Sequence, residues 1–283
     1  MMIDTHAHLN FNAYKDDADE VIRRSLDNDV WIINVGSTYE TSKRAVEMAE
    51  KHEQGVYAAI GLHPIHLAEG IFKTKLDTEE IAFKTQNEDF DYEKYKALAK
   101  SESRLIGGPS KRRVVAIGEI GLDYYYRPKT KTKLEVFKEK QRETFLKEID
   151  LAKELNLPII FHCRTAHDEL IEILGQYGGK LQGVIHCFSG DWQQAEKYLD
   201  MGFYLGFNGI IFKLNLDEVI EKISLNKILV ETDCPYLTPP PMIGRNEPIY
   251  VKYVAERIAK IRKLSYEEIL EVTTENAKKL FNI

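Results

Sequence analysis

Short apolar runs recur along the whole 283-residue chain, and nearly every one is followed by a stretch with helical periodicity. Eight of these runs are predicted strands, at 2–5, 31–35, 56–60, 114–118, 158–161, 183–186, 203–206 and 228–231. Most are rich in Val and Ile, as parallel strands covered by helices on both faces tend to be. Amphipathic patterns fall between them at 16–27, 40–52, 137–155, 168–177 and 191–201, and two more follow the last strand at 248–263 and 265–280. Helix starts carry capping chemistry: Ser265 stands three residues before Glu268, the capping-box spacing. Strand–helix units repeated eight times predict an α/β fold, a (β/α)8 TIM barrel that occupies 1–283 as a single domain. An open eight-stranded sheet is the competing topology. Its nucleotide-binding form is disfavoured, because neither Gly-x-Gly-x-x-Gly nor a P-loop follows the first strand.

One interval is out of proportion. Between His66 and Val114 lie 47 residues, where a strand–helix unit needs one helix and two loops. The segment 67–113 is therefore expected to be an enlarged helical insertion between the third and fourth strands. It is strongly charged from 73 onwards and ends in the turn-rich GGPSKRR.

Composition narrows the class without deciding the chemistry. With 43% hydrophobic and 30% charged residues the chain is ordinary globular protein. No apolar run approaches the roughly 20 residues of a membrane-spanning helix. The start, MMIDTHAHLNF, shows no basic stretch followed by an apolar one. Three cysteines suit a reducing compartment, so the cytoplasm is the expected location, with the nucleus as the alternative. The net charge of −6 argues against a sequence-independent duplex clamp, which works through an extended basic face. A metal centre neutralising one phosphate locally is compatible with it.

The candidate chemistry sits where the predicted strands end. His6 and His8 close the first, Glu119 the fourth, His162 the fifth, His186 the sixth and Asp233 the eighth. Barrel enzymes collect their functional groups at those C-terminal ends, where the loops converge. Each residue alone has an ordinary explanation. An H-x-H pair arises often by chance, a single His after an apolar run is commonly a hydrogen-bonded core residue, and an Arg would satisfy Glu119 as well as a metal. Their joint placement is what packing does not require. His6 and His8, two apart on a strand, leave the same face.

Four histidines and two carboxylates are too many for one four-coordinate ion and suit two divalent ions sharing a carboxylate. Glu119 is the expected bridge. Asp233, with His6 and His8, serves one ion and accepts the proton of the attacking water; His162 and His186 hold the other. Oxygen ligands favour Mg or Mn, and four imidazoles favour Zn. Arg164 has the parity of His162 and is a candidate phosphate or carboxylate contact. His63 and His66, in GLHPIH, are candidate substrate contacts at the mouth, and Glu231 shares the parity of Asp233 as an outer partner. Cys163, Cys187 and Cys234 each follow a candidate ligand by one residue, so alternation predicts buried thiols facing the helix layer. A Cys/His zinc site is disfavoured, because no C-x-x-C pair is present.

The sequence resembles the TatD-type metal-dependent deoxyribonucleases of the amidohydrolase-like barrel superfamily, almost from end to end. The resemblance is carried by DTHAHL at 4–9, GLHP at 61–64, GEIGLDYY at 118–125, HCRTAHDE at 162–169, HCFSG at 186–190, ETDCPYL at 231–237 and RNEP at 245–248. It implies a TIM barrel with a binuclear centre of Mg, Zn or Mn, and phosphodiester hydrolysis, often from the 3′ end of single-stranded DNA. By motif it carries the metal positions to His6, His8, Glu119, His162, His186 and Asp233, and the proton acceptor to Asp233. Two departures stand out. Met242 and Ile243 replace basic residues usual in that loop, and the segment after His66 is enlarged.

The leading expectation is a 3′–5′ exonuclease acting on DNA, with no membrane and no obligate protein partner. The alternative is a metal-dependent hydrolase of a small ester, amide or phosphodiester, which the acidic charge favours. A third possibility, a silent scaffold docking through the insertion, is weakened by the intact set of six ligands.

Overall fold

The computed structural model describes residues 1–67, 71–76, 79–85, 87–101, 113–125 and 130–283. Its strands are β1 (Met2–Ala7), β2 (Val30–Val35), β3 (Val56–Ile60), β4 (Ile71–Leu76), β5 (Glu79–Lys84), β6 (Val114–Asp123), β7 (Ile159–Arg164), β8 (Gly183–Ile185), β9 (Tyr204–Phe207) and β10 (Ile228–Val230). Eight of them form one parallel sheet in the order β1-β2-β3-β6-β7-β8-β9-β10. The helices are α1 (Ala18–Asp27), α2 (Tyr39–Glu50), α3 (Tyr92–Ala99), α4 (Lys131–Leu155), α5 (His167–Gly175), α6 (Trp192–Asp200), α7 (Asp217–Lys222), α8 (Val251–Arg262) and α9 (Tyr266–Phe281). The alternation is that of the predicted TIM barrel. No helix among the described residues is long and apolar enough to cross a membrane.

The sheet curls until its first and last strands meet. Ala7 pairs in parallel with Cys234, Asp233 N–H donates to His6 O (2.8 Å) and His8 N–H to Cys234 O (2.9 Å). Below this, Asp4 is fully buried and accepts from Thr232 twice, at Oδ1 from the amide (2.8 Å) and at Oδ2 from the hydroxyl (2.6 Å). Burial raises the Asp4 carboxyl well above its ordinary value, against the lowering effect of those bonds.

Two apolar groups hold the layers. Ile3, Ile33, Ala59, Ala116, Ile160, Val184 and Leu229, one from each of seven strands, pack with Ala277, Leu280 and Phe281 of α9. Alternate residues such as Ile32, Ala58, Ile117, Phe161 and Ile185 belong to the larger group under the helices. Two register shifts then matter for the site. One falls in β1 between Asp4 and Ala7, the other in β6 between Gly118 and Ile120. A bulge adds a residue and re-aims the side chains beyond it. Ile3 and Ala116 pack in the interior group below the bulges, and His6 and Glu119, which lie within them, approach each other. Gly121 lies just past the second bulge at φ 145°, and a Cβ there would stand 2.1 Å from His162 O, so only glycine lets β6 run this close to β7.

The expected helical insertion needs correction. The described part of 67–113 contains one helix, α3, and an antiparallel hairpin, β4 paired to β5 from Ile71↔Lys84 to Leu76↔Glu79. The rest of that expectation, at 68–70, 77–78, 86 and 102–112, lies outside the described residues. A second correction concerns β6. It runs ten residues to Asp123, so Glu119 lies within the strand and not at its end.

Candidate metal centre

At and beyond the two bulges the candidate residues converge. His6 Nε2 and His8 Nε2 are 3.1 Å apart. Glu119 stands between two sets of imidazoles. Its Oε2 is 3.4 Å from His6 Nε2 and 3.9 Å from His8 Nε2; its Oε1 is 2.5 Å from His162 Nδ1, 3.3 Å from His186 Nε2 and 3.5 Å from His63 Nε2. Asp233 Oδ1 lies 3.4 Å from His8 Nε2 and 3.9 Å from His6 Nε2. The rings of His6 and His186 stack at 3.6 Å.

Outer partners orient the rings. His8 Nδ1 is 2.8 Å from the carbonyl oxygen of Val35, which can only accept, so the proton sits on Nδ1 and the Nε2 lone pair faces Asp233 and His6. His186 Nδ1 lies 2.9 Å from Glu231 Oε1, which places its Nε2 beside Glu119. Glu231 is fixed by the Cys187 amide (2.8 Å) and by Asn208 Nδ2 (3.0 Å). The ring nitrogens and carboxylate oxygens pointed at common space are the donor set a divalent cation fits once the imidazoles are neutral. Ligand atoms of His6, Glu119 and His186, and of His6, His8 and Asp233, each gather within 4.8 Å.

Burial works against charge here, and the neighbours reverse it. Burial would raise Glu119, but the imidazoles of His63, His186, His162 and His6 hold it well below the carboxylate range. Burial likewise raises Asp233, and the neighbouring imidazoles of His8, His186 and His6 bring it below its ordinary value. Burial lowers His162, yet Glu119 and Asp123 carry it up to about 9. Burial also lowers His186, while Glu231 and Glu119 take it to about 10.

The other candidates lie around this cluster. His63 is buried against His162, with ring centroids 4.1 Å apart. His66 sits one step further out, 6.4 Å from His63 ring to ring, and burial pushes it down to about 4. Arg164 ends β7 on the rim, its guanidinium carbon 3.8 Å from the centre of the Tyr125 ring. Ile243 is 90% exposed in the departing loop, while Arg245 is turned away to Asp17 Oδ1 (2.9 Å) and Ala13 O (2.7 Å).

Sequence reasoning missed Asp123. Its Oδ2 is 3.2 Å from His162 Nε2, and ligand atoms of His63, Asp123 and His162 gather within 4.8 Å. The signal was present: Asp123 lies four residues after Glu119 and so shares its strand face. The cysteine expectation is half right. Cys163 is buried beside Tyr198 of α6, and Cys234 is buried. Cys187 departs, because β8 ends at Ile185 and Cys187 itself has φ 46°, which breaks the alternation. Its sulfur lies 3.6 Å from Asn208 Oδ1 and within 4.8 Å of ligand atoms of His186 and Asp233, at the centre and not under the helices.

The family described as TatD related DNase matches residues 3–282. The chain belongs to the TatD family. An uncharacterized metal-dependent hydrolase of Bacillus subtilis, YabD, is 41% identical over the full length of both chains. The 3′-5′ ssDNA/RNA exonuclease TatD of Salmonella typhimurium is 29% identical, across 100% of this chain and 99% of its own. Among solved structures, the TatD homolog YJJV of Escherichia coli K12 superposes with a TM-score of 0.81 at 28% identity, covering 100% of this chain and 98% of that one. An organophosphorus hydrolase from Deinococcus radiodurans shares the fold, with a TM-score of 0.59 at 14% identity. As a TatD-family protein this chain is a metal-dependent hydrolase, and its histidine and carboxylate groups are able to bind metal.

Proposed function

We propose that the chain is a 3′–5′ exonuclease that hydrolyses DNA phosphodiester bonds, at single-stranded or 3′ ends, through two divalent cations bridged by Glu119. The observation that carries this reading is the division of Glu119, whose Oε2 meets His6 and His8 while Oε1 meets His162 and His186. One carboxylate facing two imidazole sets is what a shared ligand requires. His6, His8 and Asp233 would hold one cation of Mg, Zn or Mn, and His162 and His186 the other. Cations held there would supply charge neutralisation at a phosphoryl group and lower the pKa of a water towards neutrality. Asp233, kept in its carboxylate form, takes the proton of that water. Arg164, steadied by Tyr125, contacts a phosphate, and His66 borders the entry. The exonuclease name carried by the Salmonella relative supports the choice of substrate.

A 3′-labelled or 5′-labelled single-stranded oligonucleotide with magnesium tests this. Stepwise shortening of the 5′-labelled strand, abolished by EDTA, is the expected result. An intact oligonucleotide alongside rapid turnover of small esters or phosphodiesters would instead establish the second reading, which the exposed Ile243 and the net charge of −6 favour.

The metal sites carry a pH signature. His162 and His186, raised to about 9 and about 10, are protonated at neutral pH without metal. Each must release a proton to ligate, so metal affinity rises with pH until those values are passed. With two protons displaced, the apparent Kd is expected to tighten by up to about a hundredfold per pH unit between pH 6 and 8. Calorimetric metal titration in buffers of different ionisation enthalpy counts the protons directly.

A further inference from the structure

Backbone groups fix which nitrogen carries hydrogen in the neutral rings of His8 and His63, and the two differ. Pro64 has no N–H, so the first amide after His63 belongs to Ile65, at the start of the turn Pro64–Leu67. That amide donates to His63 Nδ1 at 3.0 Å. An amide can only donate, so Nδ1 must offer its lone pair, and the hydrogen of the neutral ring is on Nε2. The arrangement at His8 is the reverse: a carbonyl faces Nδ1, and Nε2 is bare. His63 Nε2 points into the same cluster, 3.5 Å from Glu119 Oε1.

The backbone grips the residue on both sides. His63 N–H donates to Ser37 O (2.9 Å) and His66 N–H to His63 O (3.0 Å). The preceding amide, Leu62 N–H, donates to Glu148 Oε1 at 2.7 Å, and Glu148 is buried in α4. Rotating the ring to present a bare nitrogen would set Nδ1–H against the Ile65 amide, two donors face to face.

We propose that His63 is a further catalytic residue, a fixed hydrogen-bond donor whose Nε2–H binds a phosphoryl oxygen of the substrate, and that it is neither a metal ligand nor a base. This rests on the phosphodiesterase reading above. A preoriented donor of this kind is worth about 10²–10³ in kcat where charge builds on an oxygen. The proximity of His63 to Asp123 and His162 is therefore a donor's place beside the centre and not a third cation site.

Three measurements test it. In the metal-free wild type, ¹⁵N-edited spectra of the ring should show His63 as the Nε2–H tautomer; an Nδ1–H signature overturns the proposal without any variant. His63→Ala should keep the wild-type number of bound metal ions and its metal titration midpoint, while kcat on bis(4-nitrophenyl) phosphate and on the oligonucleotide falls about 10²–10³-fold. His63→Gln, which restores an N–H at a similar reach, should recover tenfold or more. Loss of one metal equivalent in His63→Ala, or an unchanged kcat, overturns it. Wild-type enzyme that turns over the small phosphodiester and leaves the oligonucleotide intact would dismiss the nuclease reading and leave the His63 comparison standing.

Discussion

Replacing Glu119 with glutamine is expected to lower kcat by about 10⁴-fold or more, equivalent to about 5.5 kcal/mol of transition-state stabilisation. Among the described residues no other side chain touches so many of the candidate ligands: Oε2 approaches His6 and His8, and Oε1 approaches His162, His186 and His63. The amide keeps the volume and one oxygen, and it removes the charge that lets two cations share a ligand. Metal content should fall in parallel with kcat, measured on the same preparation. The metal-free variant should also show His162 titrating below its present value of about 9, because the Glu119 charge is the first of the influences opposing burial there. Activity within tenfold of wild type, with full metal content, would remove Glu119 as the bridge.

The second large effect belongs to Asp233. It lies in the left-handed region at φ 57°, which asparagine tolerates well, so Asp233→Asn preserves the backbone while abolishing the proton acceptor. Loss of a general base costs typically about 10²–10⁴-fold in rate. Turnover should fall by that amount with the melting temperature within a few degrees of wild type, since the Asp233 side chain is 15% exposed at the mouth and holds no core contact comparable to Asp4. A variant that retains its rate under metal-free purification and controlled reloading would transfer the base to another group.

The strands were legible because covered parallel strands announce themselves as apolar runs. The predicted 56–60 is β3 itself, and 228–231 differs from β10 by one residue. The ends of strands were harder to read. β6 continues to Asp123 through a register shift that no apolar count reveals, and Asp123 went unnoticed with it. The hairpin of β4 and β5 was masked by its charge: IFKTKL and EEIAFK look like a solvated helix once Lys and Glu are weighed more heavily than alternation. At the centre, two-residue parity brought His6 with His8, and position at the strand ends brought in His162 and His186. Parity failed at Cys187, where one left-handed residue turns the chain. The tautomers were invisible, because they depend on amides and carbonyls such as Val35 O and Ile65 N that only the folded backbone delivers.

The seam between β1 and β10 has a consequence for the chain as it is made. Asp4 reaches across 228 residues to Thr232, and Asp233 joins His6 and His8 only after that span is closed. A polypeptide emerging from the ribosome carries the amino-terminal histidines early, and it gains their carboxylate partner only once most of its length has been translated. On the proposed assignment, nascent or prematurely terminated products would carry no finished centre. Catalytic competence would then be withheld until the ring is complete, and hydrolysis itself would report that synthesis had reached the eighth strand.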